Sequence, residues 1–180
     1  EGVPSLDTVG LAALRRSSST PIAVDGAYRI DLLWQVARDQ AADAVLGDIQ
    51  GCFGIKGLYE FYAIAQVLNL TGSMHSGTEI GVMQVAKLHV AAARPELLYA
   101  QDAIYHEYVD DILVGGKLQY HDGQMDVPQG AGLGVALDDA RLARYELTGA
   151  KHREYDEFWA EVKSAFSVPP PGSDLLVRHF

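Results

Sequence analysis

Four ionisable residues, Asp25, Asp48, His75 and Asp102, stand where short apolar runs end in this sequence, and a fifth, Glu1, opens it where an active-site strand is expected to be ending. Carboxylates fixed at such ends are the hard oxygen donors that Mg2+ selects, so Glu1 and Asp25, on consecutive strands, are candidate metal ligands. One βα unit separates Asp48 from His75. Neighbouring parallel strands would then set the carboxylate beside the imidazole, fix its tautomer and raise its basicity for proton transfer. A metal and an acid/base pair together suit removal of a proton next to a carboxylate, where the charge of an enediolate has to be stabilised. Asp102, at the following tip, would bind a substrate hydroxyl or polarise a carboxylate. Plainer readings stand beside these: a terminal surface charge for Glu1, a turn residue or helix cap for Asp25 and Asp102, and a hydrogen-bonded structural histidine for His75.

The elements that must position these residues are legible as a rhythm. From Leu6 to about Phe166, apolar runs alternate with amphipathic stretches, the pattern of βα units around a parallel sheet. A helix follows Asp7, a good N-cap, and breaks at Ser17-Ser18-Ser19. Strands are expected at Pro21–Val24, Ala44–Leu46, Leu70–Met74 and Leu97–Gln101. The helices between them carry Ile30, Leu33, Trp34, Ala37 and Ala41 on one face, then span Ile55 to Leu68, then Glu79 to Ala93. In a βα barrel the strand tips form the active-site face. Ser76 and Glu79 have the spacing of a capping box, and His89 reads as a packed or surface residue beside Val85. Beyond Asp102, strand-like stretches are expected at Ile112–Leu118 and Gln124–Pro128. The glycines from Gly130 to Gly134 lack the Lys-Ser/Thr ending of a phosphate cradle and read as a turn; a helix is expected after Asp138. A barrel region over 1–150 and a helical tail over 151–180, with a charged, aromatic helix from Glu154 to Phe166 ahead of three prolines, complete the expected organisation.

The net charge of −10 disfavours nucleic-acid phosphates and anionic membrane surfaces, which call for clustered Lys and Arg, and leaves small molecules as the expected partners. No apolar run approaches the roughly 20 residues that span a bilayer, and no signal segment is evident, so a cytoplasmic location is expected. One cysteine, Cys52, makes no internal disulfide. No Cys or His cluster of zinc spacing accompanies the carboxylates.

Several motifs resemble the mandelate racemase and glucarate dehydratase branch of the enolase superfamily: Glu1-Gly2-Val3-Pro4, Pro21 to Asp25, Gly47-Asp48-Ile49-Gln50-Gly51, Ser73-Met74-His75-Ser76, and above all the run from Asp122 to Asp138. The resemblance extends from Glu1 to about Tyr145. It implies an α/β fold, the C-terminal half of a (β/α)8 barrel, with Glu1 and Asp25 as two Mg2+ ligands, His75 and Asp48 as the acid/base dyad and Asp102 at the substrate. It also implies a Mg2+-dependent sugar-acid dehydratase, with a 2-hydroxy-acid racemase as the alternative within the family. A non-catalytic half-barrel that associates with a partner chain is the alternative outside it. The muconate cycloisomerase and dipeptide epimerase branches place a lysine after the sixth strand, where Asp48 stands here, so the resemblance disfavours them. Asp25 replaces the asparagine usual in glucarate dehydratase, so glucarate itself is not implied as substrate. The capping domain, the first four barrel strands and a lysine base are expected in an N-terminal half that precedes Glu1, and the complete enzyme is expected to be a homo-oligomer.

Overall fold

A computed structural model describes residues 6–146, 148–149, 152–154, 156–157 and 160. The chain forms two compact units, Glu1–Arg141 and Leu142–Phe180. The elements that follow belong to the first, except that the last helix runs across the boundary. Glu1 lies outside the described residues, as does most of the helix expected from Glu154 to Phe166.

Three βα units build the first unit. Helix α1 (Thr8–Ser17) starts where Asp7 accepts the Gly10 N–H at 2.9 Å, and Arg15 and Arg16 in its last turn complement the helix dipole. Strand β1 (Ala23–Val24), helix α2 (Ile30–Arg38), strand β2 (Ala44–Gly47), helix α3 (Ile55–Val67), strand β3 (Thr71–Met74) and helix α4 (Gly81–Ala93) follow in order. The strands are parallel in the order β1-β2-β3, with Ala23 opposite Ala44, and Leu46 and Gly47 opposite Ser73 and Met74. Alternation along each strand sorts the side chains between two faces. Val45 and Met74 pack in the core beneath the helices, with Leu33, Val36, Leu58 and Tyr62. Ala23, Ala44, Leu46 and Ser73 line an open cavity of 280 Å³ on the other face. That face is the inner wall of a barrel, seen over three of its strands.

Helix α2 keeps part of the expected face, Leu33 and Ala37, and turns Val36 inward in place of Ile30 and Trp34. Leu33 and Val36 are fully buried, whereas Ile30 and Trp34 stand 64% and 54% exposed. Both patterns have helical spacing, and β-sheet contact selects the stripe through Val36; burying two such side chains contributes about 1.5–3 kcal/mol each. The strand expected at Leu97–Gln101 does not form a regular ladder. It lies beside β3 through the Asp102 N–H to Met74 carbonyl bond at 3.0 Å and the Ser73 hydroxyl to Ala100 carbonyl bond at 2.9 Å. Ile112–Leu118 is likewise not a strand: it contributes one antiparallel bridge, Leu113 to Leu137. Instead of a strand over Gln124–Pro128 there is a short hairpin of β4 (Tyr120–His121) and β5 (Gln124–Met125). Its turn is Asp122-Gly123, both with positive φ, the two-residue turn that an Asp-Gly pair favours. The Gly130–Gly134 segment is a turn, and helix α5 (Asp139–Tyr145) begins after Asp138, whose carboxylate accepts the Ala140 and Arg141 N–H groups. Among the described residues no helix is long and apolar enough to cross a membrane.

Candidate active site

Parallel register decides which tips meet. Because Gly47 is opposite Met74, the next residues on each strand, Asp48 and His75, stand side by side, and the His75 N–H donates to the Gly47 carbonyl at 2.9 Å. The Asp48 Oδ2 to His75 Nδ1 distance is 3.6 Å, a close approach slightly beyond hydrogen-bond length. Their side chains are 11% and 21% exposed, enough shelter to strengthen the electrostatic contact while leaving the imidazole reachable. The other carboxylate oxygen of Asp48 accepts the Gly51 N–H at 2.5 Å, so the loop after β2 fixes the carboxylate that faces the ring.

Asp25 follows β1 on the same edge of the sheet. The Tyr28 hydroxyl donates to its Oδ1. Burial first, then that hydrogen bond, pushes the Tyr28 phenol well above its ordinary pKa, so it remains a donor. A side chain at Gly51 would run into the Tyr28 ring at 2.6 Å, so glycine there lets the loop close over the tyrosine. Asp102, on the far side of His75, accepts the Ser76 N–H at 3.2 Å. The described residues thus bring Asp48 and His75 into contact and carry Asp25 and Asp102 on the neighbouring tips.

Sequence reasoning missed a buried ion pair behind these tips. Glu79 does not cap a helix: α4 begins at Gly81, and its N-cap, Ile80, offers no side-chain bond. Instead Glu79, 2% exposed, accepts the Ser76 hydroxyl at 2.8 Å and the Gly77 N–H at 2.9 Å, and meets Lys87 Nζ at 3.3 Å. Burial pushes the Glu79 carboxyl up, but Gly77, Lys87 and Ser76 outweigh it and hold it below its ordinary value. Burial lowers the Lys87 ammonium against the pull of Glu79. The available signal was Lys87 itself, a lysine on the same side of the mostly apolar α4 as Gln84 and Val90, three residues from each. His89 is tied by its Nε2 to the Leu133 carbonyl at 3.0 Å and takes a structural place. Cys52 is buried, its thiol pushed up to about 11 by burial, which leaves it unreactive.

The fit to a metal rests on Asp25, a hard oxygen donor at a strand tip held by Tyr28. No group of three or more His, Cys, Asp or Glu side chains able to hold a metal occurs among the described residues. Mg2+ ordinarily takes only one or two carboxylates and fills its remaining positions with water and substrate oxygens. The donor type therefore fits; Glu1, the second carboxylate expected from the sequence, lies outside the described residues.

Parallel strands with ionisable residues gathered on their C-terminal edge define an α/β barrel-type enzyme domain. Residues 1–141 match the family described as enolase C-terminal domain-like, and the chain belongs to that family, as the C-terminal half of its barrel. A probable glucarate dehydratase of Streptomyces coelicolor is 32% identical over 141 residues, covering 78% of this chain and 32% of that protein. The chloromuconate cycloisomerase CbnB of Cupriavidus necator is 30% identical over 146 residues, covering 79% and 39%. The solved structure of an enolase of Gibberella zeae, complexed with magnesium, formate and sulfate, superposes with a TM-score of 0.69 at 30% identity, covering 83% of this chain and 34% of that one. The chain therefore spans 32% to 39% of the length of these relatives. Dehydratases and cycloisomerases are both among its relatives, so similarity establishes the superfamily and the tip residues must argue the reaction.

Proposed function

We propose that this chain is the catalytic C-terminal half of a Mg2+-dependent sugar-acid dehydratase. The observation that carries the reading is the Asp48–His75 pair, 3.6 Å apart on consecutive strand tips, in a family whose similar members include a probable glucarate dehydratase. Held by Asp25 and Glu1, Mg2+ would supply the positive charge that stabilises the substrate carboxylate as its α-proton leaves. Asp48 stands on the Nδ1 side of the imidazole, and the ring exchanges a proton with substrate. In the forward direction a base takes the α-proton, the electron pair forms the C=C bond, and the β C–O bond breaks. His75 protonates the departing hydroxyl, water leaves, and the enol tautomerises to a 2-keto-3-deoxy acid. Asp102 orients a substrate hydroxyl from the next tip. The partners of the chain are then a sugar acid and the N-terminal half that carries the remaining base, in a cytoplasmic homo-oligomer.

The test is product analysis on the complete enzyme with a panel of sugar acids and Mg2+. Keto acid formation is expected, and His75→Asn should lower it by about 100- to 10,000-fold with Mg2+ affinity nearly unchanged. Inversion of a stereocentre without loss of water would replace dehydration by racemisation. Near-normal turnover in His75→Asn would remove the histidine from the mechanism.

A further inference from the structure

The tips that carry Asp25, Asp48 and His75 are set by a regular parallel ladder, but the tip that carries Asp102 is not. Between β3 and the segment ending at Asp102, one backbone bond, Asp102 N–H to the Met74 carbonyl, does the work of a ladder. What stands in its place is the ammonium of Lys87, a residue only 4% exposed. Its Nζ donates to the His75 carbonyl at 2.7 Å and to the Asp102 carbonyl at 3.4 Å, and meets Glu79 Oε2 at 3.3 Å. An ammonium has three N–H donors, and here three oxygens receive them. Two of those oxygens belong to the backbone of the dyad histidine and of the substrate-facing aspartate.

The second half of the pair completes the clamp. Glu79 also takes the Ser76 hydroxyl, whose oxygen accepts the Ile104 N–H at 3.2 Å, and the Ser76 N–H in turn donates to Asp102 Oδ2. Both loops leaving the two tips are therefore tied to one buried charge pair. Burying two charges is a poor way to gain stability, because desolvation cancels much of their attraction and an apolar pair of similar volume often does as well. An apolar pair cannot hold two strand-end carbonyls at a set spacing.

We propose that Lys87, seated on Glu79, is a positioning residue that sets the spacing between His75 and Asp102 by bridging their carbonyl oxygens. The functional meaning of that spacing rests on the dehydratase reading; the bridge itself does not.

The experiment is carried out on the complete protein labelled with 15N, without substrate. Amide hydrogen exchange is followed at Ser76 and Asp102, with Val45 in β2 as the internal reference, and the ring 15N signals of His75 are compared with those of His121 in the hairpin. Two variants are used: Lys87→Met, which removes the donors, and Lys87→Met with Glu79→Gln, which leaves no buried carboxylate unpaired and keeps the test alive if the single variant fails to fold. Protection at Ser76 and Asp102 should fall at least tenfold more than at Val45, and the His75 ring signals should move while those of His121 stay. Unmoved His75 signals, or a loss at Val45 as large as at the two tips, would overturn the proposal. A complete enzyme that forms no keto acid would sink the dehydratase reading and leave this result standing.

Discussion

Tyr62→Phe removes one oxygen atom from the layer directly behind the dyad. Tyr62 is 1% exposed. Its hydroxyl accepts the Gly47 N–H at 3.1 Å and donates to the Ser73 carbonyl at 2.6 Å, so it joins β2 to β3 one residue before Asp48 and two before His75. Without the hydroxyl, the Gly47 N–H loses this acceptor but keeps its place in the parallel β2–β3 ladder, a cost of about 0.5–1 kcal/mol. The Ser73 carbonyl has a second lone pair and loses about 0.5–1 kcal/mol. Phe fills the same ring volume, so no large cavity adds to this. The expected total is about 1–2 kcal/mol, equivalent to a fall in Tm of roughly 2–8 °C for a chain of this length. Urea denaturation at neutral pH, with the slope unchanged, measures it. A loss below about 0.5 kcal/mol, within the range of ordinary surface substitutions, would refute the claim that this hydroxyl ties the two strands together. Gly47→Ala gives an independent check: its Cβ would lie 2.7 Å from Tyr62 Cζ and 2.8 Å from Leu58 Cδ1, and it should destabilise by a similar mechanism of forced displacement.

In the complete protein, Asp25→Ala should weaken Mg2+ binding by more than the roughly 10–100-fold that loss of an outer-shell partner costs, and activity should fall with it; full activity in excess chelator defeats the assignment. The Arg38 guanidinium, and after it the Thr8 hydroxyl, hold the Asp39 carboxyl at about 2. Since this lies below the unfolded value of about 3.9, Asp39 contributes stability at higher pH that is lost as pH falls through about 2. Asp39→Asn should flatten the acid limb of the stability curve below about pH 4, and an unchanged limb in denaturation midpoints would count against it. The 180-residue chain by itself should bind Mg2+ weakly, show no dehydratase activity and self-associate, because among the described residues β1 pairs on one edge only and one sheet face lines an open cavity. Light scattering and a sugar-acid assay check this, and a monomer that turns over substrate unaided contradicts it.

The sequence by itself determined the βα rhythm and the residues at its tips. Strand-ending positions such as Asp48 and His75 were legible because a parallel strand buried on both sides is a short apolar run, and the first polar residue after it marks the tip. The Asp7 and Asp138 caps were legible for a similar reason, since a cap is a local hydrogen bond. Tertiary structure decided what depended on neighbours distant in sequence. In helix α2 the expected face held at Leu33, and only packing chose Val36 over Ile30 and Trp34. The Ser76–Glu79 spacing was a true signal of contact but a false one of capping, because Lys87, eight positions further along, drew the carboxylate inward. The segment before Asp102 has strand-like composition yet forms no ladder, its tip held instead by a serine hydroxyl, one backbone bond and a buried lysine. Local chemistry is written in adjacent residues; the spacing between His75 and Asp102 is set by a buried charge on two backbone carbonyls, which meet only once α4 has packed against the sheet.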